Sequence, residues 1–158
     1  MGLARILVDG YSLLHGWPQL APRAARHSAA ARDELIQVLT RYQDATGTPV
    51  TVVFDGSGAP PGTPKHPPGH SVEVLYSKAG QTADDIIERA AYRLLKFGAV
   101  LVVTDDYAER DVVVGFGAAA ASCENFIRDI ECELGGLERE LAVHNRREAA
   151  RYRRPTEA

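Results

Sequence analysis

Short apolar segments that alternate with helical patterns are the feature of this sequence that most restricts its fold. Four apolar runs have the length of buried strands, and a proline- and glycine-rich stretch at residues 56–70 forms an irregular loop between the second and the third. Two segments with helical spacing of apolar residues begin after good N-caps, Ser28 and Thr82. Because parallel strands need crossover helices, this alternation predicts an α/β domain with a mainly parallel central sheet. The predicted strands are Leu3–Val8, Val50–Phe54, Val72–Tyr76 and Ala99–Val103, and the two helices run to about Thr46 and Phe97.

The C-terminal third of the chain carries a weaker pattern. Tyr107–Val114 has the length of a short helix, and Ala118–Ala121 is a candidate fifth strand. Ser122 is a good cap for a long final helix through about His144. Gly135-Gly136 is a candidate break in that helix, since glycine is a poor helix former.

The length of 158 residues is that of one domain, and no repeat or long linker divides the chain. Its formal net charge of −3 is unevenly distributed. Residues 1–143 hold 13 Lys and Arg against 19 Asp and Glu, whereas residues 144–158 hold 5 against 2. We therefore expect an acidic domain over residues 1–143 and a basic C-terminal tail over residues 144–158, which offers a surface for a polyanion.

The sequence favours a cytoplasmic protein that does not contact a membrane. No apolar run is long enough to span a bilayer, and the first residues lack a basic region followed by a long apolar stretch. The two cysteines, Cys123 and Cys132, would lie on opposite faces of the final helix, too far apart for a disulfide. We expect both to be buried thiols in a reducing compartment.

Acidic residues follow the predicted strands. Asp9-Gly10, a typical turn sequence, ends the first strand, Asp55 ends the second, and Asp105 and Asp106 follow the fourth. Each acid alone has an ordinary explanation as a turn or helix-dipole residue. Because parallel strands end at the same sheet edge, however, the topology brings these acids together. Three more acids belong to the helix that starts at this edge: Asp84 and Asp85 in its first turn, and Glu88 on the same face.

Clustered carboxylates repel one another unless a cation lies between them, and hard oxygen ligands suit Mg²⁺ or Mn²⁺. Zinc is not expected, because the histidines (His15, His27, His66, His70 and His144) form no ligand-spaced pair in the sequence. Divalent metal held by carboxylates at a sheet edge is typical of phosphodiester hydrolysis. A nucleotide cofactor is not expected, because the chain lacks a Walker A loop and a glycine-rich dinucleotide turn, and it also lacks a Gly-x-Ser-x-Gly elbow.

Four segments in order resemble the NYN domain, a branch of the PIN-like ribonucleases, and in particular its YacP-like bacterial group. With Gly115–Ala118 and the Ser122 helix, the resemblance covers about residues 3–140. It implies a three-layer, Rossmann-like α/β/α sandwich and a Mg²⁺- or Mn²⁺-dependent endoribonuclease site. The four segments are Ile6–Ser12, Val52–Gly56, Ser77–Glu88 and Val102–Glu109.

The resemblance assigns metal-binding and catalytic roles to the acids by position. Asp9 ends the first strand, and Asp84, followed by Asp85, belongs to a Thr-Ala-Asp motif. Asp106 is the acid after the fourth strand. The implied catalytic residues are Asp9, Asp84, Asp85 and Asp106, and the implied metal ligands add Glu88, Asp105 and, as a further candidate, Asp55. The sequence departs from the family pattern at Ser12, where asparagine is usual, and at Asp105, where serine or asparagine is usual.

Several side chains are candidates for contact with RNA. Lys65, Lys78 and Arg110 carry charges for phosphates, although a solvated surface position is the more common role of such residues. The Ser12 hydroxyl can donate a hydrogen bond to a phosphate, and the Tyr11 ring can stack on a base. Thr104, at the end of the fourth strand, is a further candidate for substrate contact. The tail arginines fit RNA, a ribosomal surface or a solvated helix end: Arg146, Arg147, Arg151, Arg153 and Arg154.

Three functions remain open on the sequence alone. The first is a metal-dependent endoribonuclease that hydrolyses single-stranded RNA in decay or processing, including ribosome-associated mRNA. The second is a catalytically inactive RNA-binding or ribosome-associated module of the same fold, which the departure at Ser12 motivates. The third is a hydrolase of a small phosphate ester. The sequence does not define the oligomeric state.

Overall fold

The computed structural model describes residues 3–56 and 71–152, and within the last helix it describes the side chains of residues 123–136, 144 and 146–150. The described residues form one sheet of strands β1 (Leu3–Asp9), β2 (Val50–Phe54), β3 (Glu73–Tyr76), β4 (Ala99–Val103) and β5 (Ala119–Ala121). The strand order is β3-β2-β1-β4-β5, and every neighbouring pair is parallel. The order therefore reverses between β1 and β4, where open α/β sheets bind ligands.

Helices connect the strands: α1 (Gly10–His15), α2 (Ala29–Thr46), α3 (Ala83–Leu94, followed by a 3₁₀ turn at Leu95–Phe97), α4 (Tyr107–Gly115) and α5 (Cys123–Tyr152). The predicted caps begin three of them. Ser28 accepts the Ala31 N–H, Thr82 accepts the Asp85 N–H, and Ser122 accepts the Asn125 N–H. These helices satisfy their first backbone donors locally, which is why short sequence signals located their starts.

Two apolar cores enclose the sheet. One face packs against α1, α2 and α5 through a cluster that includes Val8, Leu35, Phe54 and Phe126. The other face packs against α3 and α4 through a cluster that includes Ile87 and residues of β1, β2 and β4. Because helices cover both faces, the chain is a three-layer α/β/α sandwich, and the predicted fold class is confirmed.

The structure differs from the sequence prediction at two places. The turn expected at Asp9-Gly10 is instead the start of α1, because Asp9 caps the helix by accepting the Ser12 N–H. Gly10 permits this helix to lie close to the sheet, since a Cβ there would stand 2.4 Å from the Phe54 ring. The predicted break at Gly135-Gly136 is absent, and α5 continues beyond His144 to Tyr152. Among the described side chains, α5 packs on the core as far as Leu134, immediately before the two glycines, and this packing offsets their low helix propensity.

The cysteines also differ in part from expectation. Cys123 is buried, but Cys132 is exposed, and both are free thiols. The two cysteines occupy opposite faces of α5. Because only the face that carries Cys123 packs on the core, Cys132 lies in solvent. Among the described residues, no helix combines the length and apolar character needed to cross a membrane.

Candidate metal centre

Three carboxylates meet at the point where the strand order reverses. Asp9 is the last residue of β1, Asp84 lies in the first turn of α3, and Glu109 lies in the first turn of α4, which follows β4. One oxygen from each carboxylate lies within 4.8 Å of the others. We name this group the acidic triad. Its members come from three separate segments of the chain that the sheet brings to one edge.

Glu109 is the residue that the sequence analysis missed. It is 2% exposed, and neither carboxylate oxygen makes a hydrogen bond of normal geometry within the described residues. Burial, followed by the neighbouring Asp84 carboxylate, raises the pKa of Glu109 well above its ordinary value. A buried acid with no hydrogen bond of normal geometry is costly, and a bound cation would offset that cost. The available signal was its position in the first turn of a helix starting at the acidic edge.

Asp9 has two roles at this edge. Its Oδ1 accepts the Ser12 N–H over 3.2 Å, which caps α1 and fixes the carboxylate. The pKa of Asp9 is raised to about 6, mainly by burial. The hydrogen bond from the Ser12 N–H acts in the opposite direction and lowers the pKa. The charges of Asp84, Asp55 and Asp106 add smaller upward contributions. A cation bound beside Asp9 would favour the ionised form of its carboxylate.

Four other predicted acids surround the triad. Asp106 caps α4, where its Oδ1 accepts the N–H groups of Ala108 and Glu109. Burial and the charges of Asp84, Asp85 and Asp106 raise the pKa of Glu88, which lies one turn after Asp84 on α3. Asp85 is exposed and accepts the Thr82 N–H in a capping box, and Asp55 is exposed and accepts the Ser77 hydroxyl. Their roles as metal ligands or catalytic residues stay predictions.

Asp105 is engaged in a structural network. Its Oδ1 accepts the Cys123 N–H over 2.9 Å and an Arg110 guanidinium N–H over 3.2 Å. Its own N–H donates to the Ser12 hydroxyl, which lies 3.5 Å from the Cys123 thiol. The network joins the end of β4 to the starts of α1 and α5. Asp105 and Ser12 thus have positioning contacts in this structure, in addition to their predicted roles toward metal and substrate.

The remaining predicted substrate contacts are scattered around this edge. Thr104 is buried, and its Oγ1 accepts the Asp106 N–H, whereas Lys78 is exposed in the turn before α3. Tyr11 is half-buried against Phe54 and His27. Arg110 lies 4.7 Å from the Tyr107 ring and donates to the Thr104 carbonyl. Arg146 and Arg147 are exposed on α5, and Lys65, His66, His70, Arg153 and Arg154, with the side chain of Arg151, lie outside the described residues.

Two histidines that are distant in sequence also meet. The Nε2 atoms of His15 and His27 lie 3.2 Å apart, a pairing that their spacing along the chain did not indicate. No third metal-ligating side chain among the described residues lies within 4.8 Å of both. The pair therefore lacks the three or four protein ligands typical of zinc sites.

The donor set of the triad fits a hard divalent cation. It consists of carboxylate oxygens alone, the ligands that Mg²⁺ and Mn²⁺ prefer. Glu109, whose oxygens make no hydrogen bond of normal geometry within the described residues, lies beside Asp9, whose pKa burial raises, and a cation there would favour the ionised forms of both. Asp9, Asp84 and Glu109 could therefore hold a metal ion, which agrees with the predicted kind of site without identifying the metal.

Fold and site together define a doubly wound α/β domain with an acidic pocket at its topological switch point. A family model described as the YacP-like NYN domain matches residues 6–156. The chain therefore belongs to the YacP-like NYN family, as its sequence resemblance indicated. Membership fits a nuclease-type, RNA-related function.

Relatives from Bacillus subtilis agree in sequence and in structure. The strain 168 protein named "Uncharacterized protein YacP" is 38% identical over 137 residues, which cover 86% of this chain and 80% of YacP. The crystal structure of Rae1 (YacP) matches with a TM-score of 0.78 at 33% identity, covering 95% of this chain and 85% of that one. The crystal structure of a tryptophan-to-leucine variant of Rae1 matches with a TM-score of 0.77 at 35% identity, covering 90% and 84%.

Proposed function

We propose that the protein is a divalent-metal-dependent endoribonuclease that hydrolyses single-stranded RNA. The observation that carries this proposal is the acidic triad, and within it the buried Glu109, whose oxygens make no hydrogen bond of normal geometry among the described residues. An enclosed acid at a ligand-binding sheet edge is costly for the fold and is maintained where a cation binds. Membership of the YacP-like NYN family supports RNA as the substrate.

In this proposal Asp9, Asp84 and Glu109 hold Mg²⁺ or Mn²⁺. When bound, the metal supplies Lewis-acid stabilisation of phosphate charge and lowers the pKa of water. The protein's own contribution is to hold the three carboxylates close together in fixed positions, where a bound cation would favour their ionised forms. The Ser12 N–H fixes Asp9, the α3 backbone fixes Asp84, and the Asp106 cap fixes the first turn of α4 that carries Glu109. Asp106 and Glu88, on the rim, are candidates for a second ion or for outer contacts.

The test is cleavage of a labelled single-stranded RNA oligomer by the purified chain with Mn²⁺, with Mg²⁺ and with EDTA. We expect cleavage with either metal and none with EDTA. Asp84→Asn keeps the size of the side chain but removes a ligand charge, so it should lower the cleavage rate by about 100-fold or more. Asp111→Asn, at an exposed position on α4, is the matched control and should cleave like the wild type.

Other results of this assay would support a different function. RNA binding without cleavage, undiminished by EDTA, would identify a non-catalytic RNA-binding module, which the departure at Ser12 motivates. Hydrolysis of mononucleotides in preference to the RNA oligomer would identify a small phosphate-ester hydrolase. Association with ribosomes and action in the cytoplasm stay predictions, for which the basic segment that begins at residue 144 is the candidate contact.

A further inference from the structure

A cleft of about 360 Å³ lies along α3, between this helix and the turn that follows α4. Helix α3 carries both Asp84 and most of the cleft wall. Tyr92 lies eight residues after Asp84, which is about 12 Å along the helix axis. Asp85, which directly follows Asp84 on α3, belongs to the cleft wall, so the cleft begins one residue along the helix from the acidic triad. It is lined by Asp85, Glu88, Arg89, Tyr92, Arg93 and Phe116.

An exposed aromatic ring is held in place in this cleft. Tyr92 is 68% exposed. Its ring contacts Phe116 edge to face, with centroids 5.7 Å apart and planes at 82°. Phe116 in turn packs against the buried cluster beneath α3 and α4. The contact fixes a ring that still presents most of its surface to solvent, as a stacking platform requires.

Charge changes sign along the cleft. Asp85 and Glu88 lie at the end next to the triad, and Arg89 and Arg93 lie on either side of Tyr92 in the sequence of α3. Both arginines are exposed. If the reacting phosphate of an RNA strand lies at the metal centre, the neighbouring nucleotides would lie near the two arginines and the ring of Tyr92. This arrangement complements RNA better than an apolar protein surface.

We propose that this cleft binds one base of single-stranded RNA close to the cleaved bond. The base stacks on Tyr92, and Arg89 and Arg93 contact the flanking phosphates. The position of the cleaved bond rests on the proposed function, but the binding of the base does not require cleavage.

The experiment measures the affinity of the full chain for a fluorescent single-stranded RNA oligomer by anisotropy, in EDTA to prevent metal-dependent cleavage. Stacking of one base is worth about 1–3 kcal/mol, so Tyr92→Ala should weaken binding about 5- to 150-fold. Tyr92→Phe retains the ring and should bind like the wild type. Phe97→Ala removes another exposed ring, 71% exposed and outside the cleft, and is the matched control that should also bind like the wild type.

A second arm tests stacking itself. A set of oligomers carries a single abasic nucleotide, at a different position in each oligomer. At one position the missing base should lower the affinity of the wild type, relative to the intact oligomer, but leave the affinity of Tyr92→Ala unchanged. Equal affinities of Tyr92→Ala and the wild type for the intact oligomer would overturn the proposal. The proposal would also be overturned if light scattering showed that Tyr92→Ala changes the oligomeric mass while the affinity for RNA stays unchanged. The surface around Tyr92 would then be a contact between protein chains.

The two proposals fail separately. Tyr92-dependent RNA binding by a protein that does not cleave RNA with Mn²⁺ would support the base-binding cleft and contradict the nuclease. Metal-dependent cleavage with a KM and an affinity that do not change in Tyr92→Ala would support the nuclease and contradict the cleft. Circular dichroism of Tyr92→Ala should match the wild type, because the ring lies largely in solvent.

Discussion

Replacement of Glu109 by glutamine tests the physical reasoning behind the metal centre. Glu109 is 2% exposed and has an ordinary pKa of 4.5, so the unfolded chain carries it ionised at pH 7. Without metal, the fold must protonate this side chain or bury its charge. Protonation at pH 7 costs about 3 kcal/mol, because each pH unit above the ordinary pKa contributes about 1.4 kcal/mol. Glutamine has nearly the same shape and avoids this cost.

We therefore expect metal-free Glu109→Gln to be more stable than the wild type by about 1–3 kcal/mol, after a deduction for burial of the amide. At about 2–4 °C per kcal/mol, the Tm in EDTA should rise by about 2–12 °C. Saturating Mn²⁺ should raise the Tm of the wild type through binding to the folded state. The variant lacks one carboxylate ligand, so its Mn²⁺-induced rise should be much smaller.

The assay is thermal unfolding followed by circular dichroism at pH 7, in EDTA and over a Mn²⁺ titration. Asp111→Asn, an exposed acid on the same helix, should change stability by no more than about 0.5 kcal/mol and keep the full response to Mn²⁺. A Glu109→Gln protein that is less stable than the wild type in EDTA would show that the buried carboxyl does not destabilise the metal-free fold. A variant that keeps the wild-type response to Mn²⁺ would show that Glu109 is not a metal ligand.

Two further predictions concern Asp9 and the packing of α5. Because the pKa of Asp9 rises to about 6 on folding, the metal-free native state binds more protons than the unfolded state between about pH 4 and 6. The stability contributed by Asp9 therefore falls as pH rises through that window. Asp9→Asn keeps a side chain that can cap α1, so in EDTA it should raise the Tm at pH 7. This gain in Tm should vanish near pH 4, and a gain that does not depend on pH would contradict the prediction. Tyr42→Phe removes the hydroxyl that donates to Asp129 and joins α2 to α5, so urea unfolding should show a loss of about 1 kcal/mol, and no loss would show that this bond does not stabilise the packing.

Much of the fold could be predicted because its signals are local. The apolar runs, the caps at Ser28 and Thr82, and glycine after the α2 helix are each defined within a few residues. The acids after the strands follow from the parallel topology, which the alternation of elements already required. The location of the acidic edge thus needed no knowledge of long-range contacts.

The membership of the triad could not be predicted in the same way. Asp85 and Glu109 occupy similar places in the first turns of their helices, but Asp85 faces the Thr82 N–H and Glu109 faces the interior. Which carboxylate a helix turns inward depends on the packing of α3 and α4 against the sheet. Contacts such as Asp105 with the Cys123 N–H, and His15 with His27, join positions whose proximity only the assembled fold determines.

The central claim is that Asp9, Asp84 and Glu109 bind one divalent cation in common. The most direct measurement is anomalous diffraction from crystals of the wild-type chain soaked in Mn²⁺. We expect an anomalous peak about 2.1 Å from an oxygen of each of the three carboxylates, and no such peak in Glu109→Gln crystals soaked in the same way. Wild-type crystals in which those carboxylates point apart, or in which manganese binds elsewhere, would contradict it.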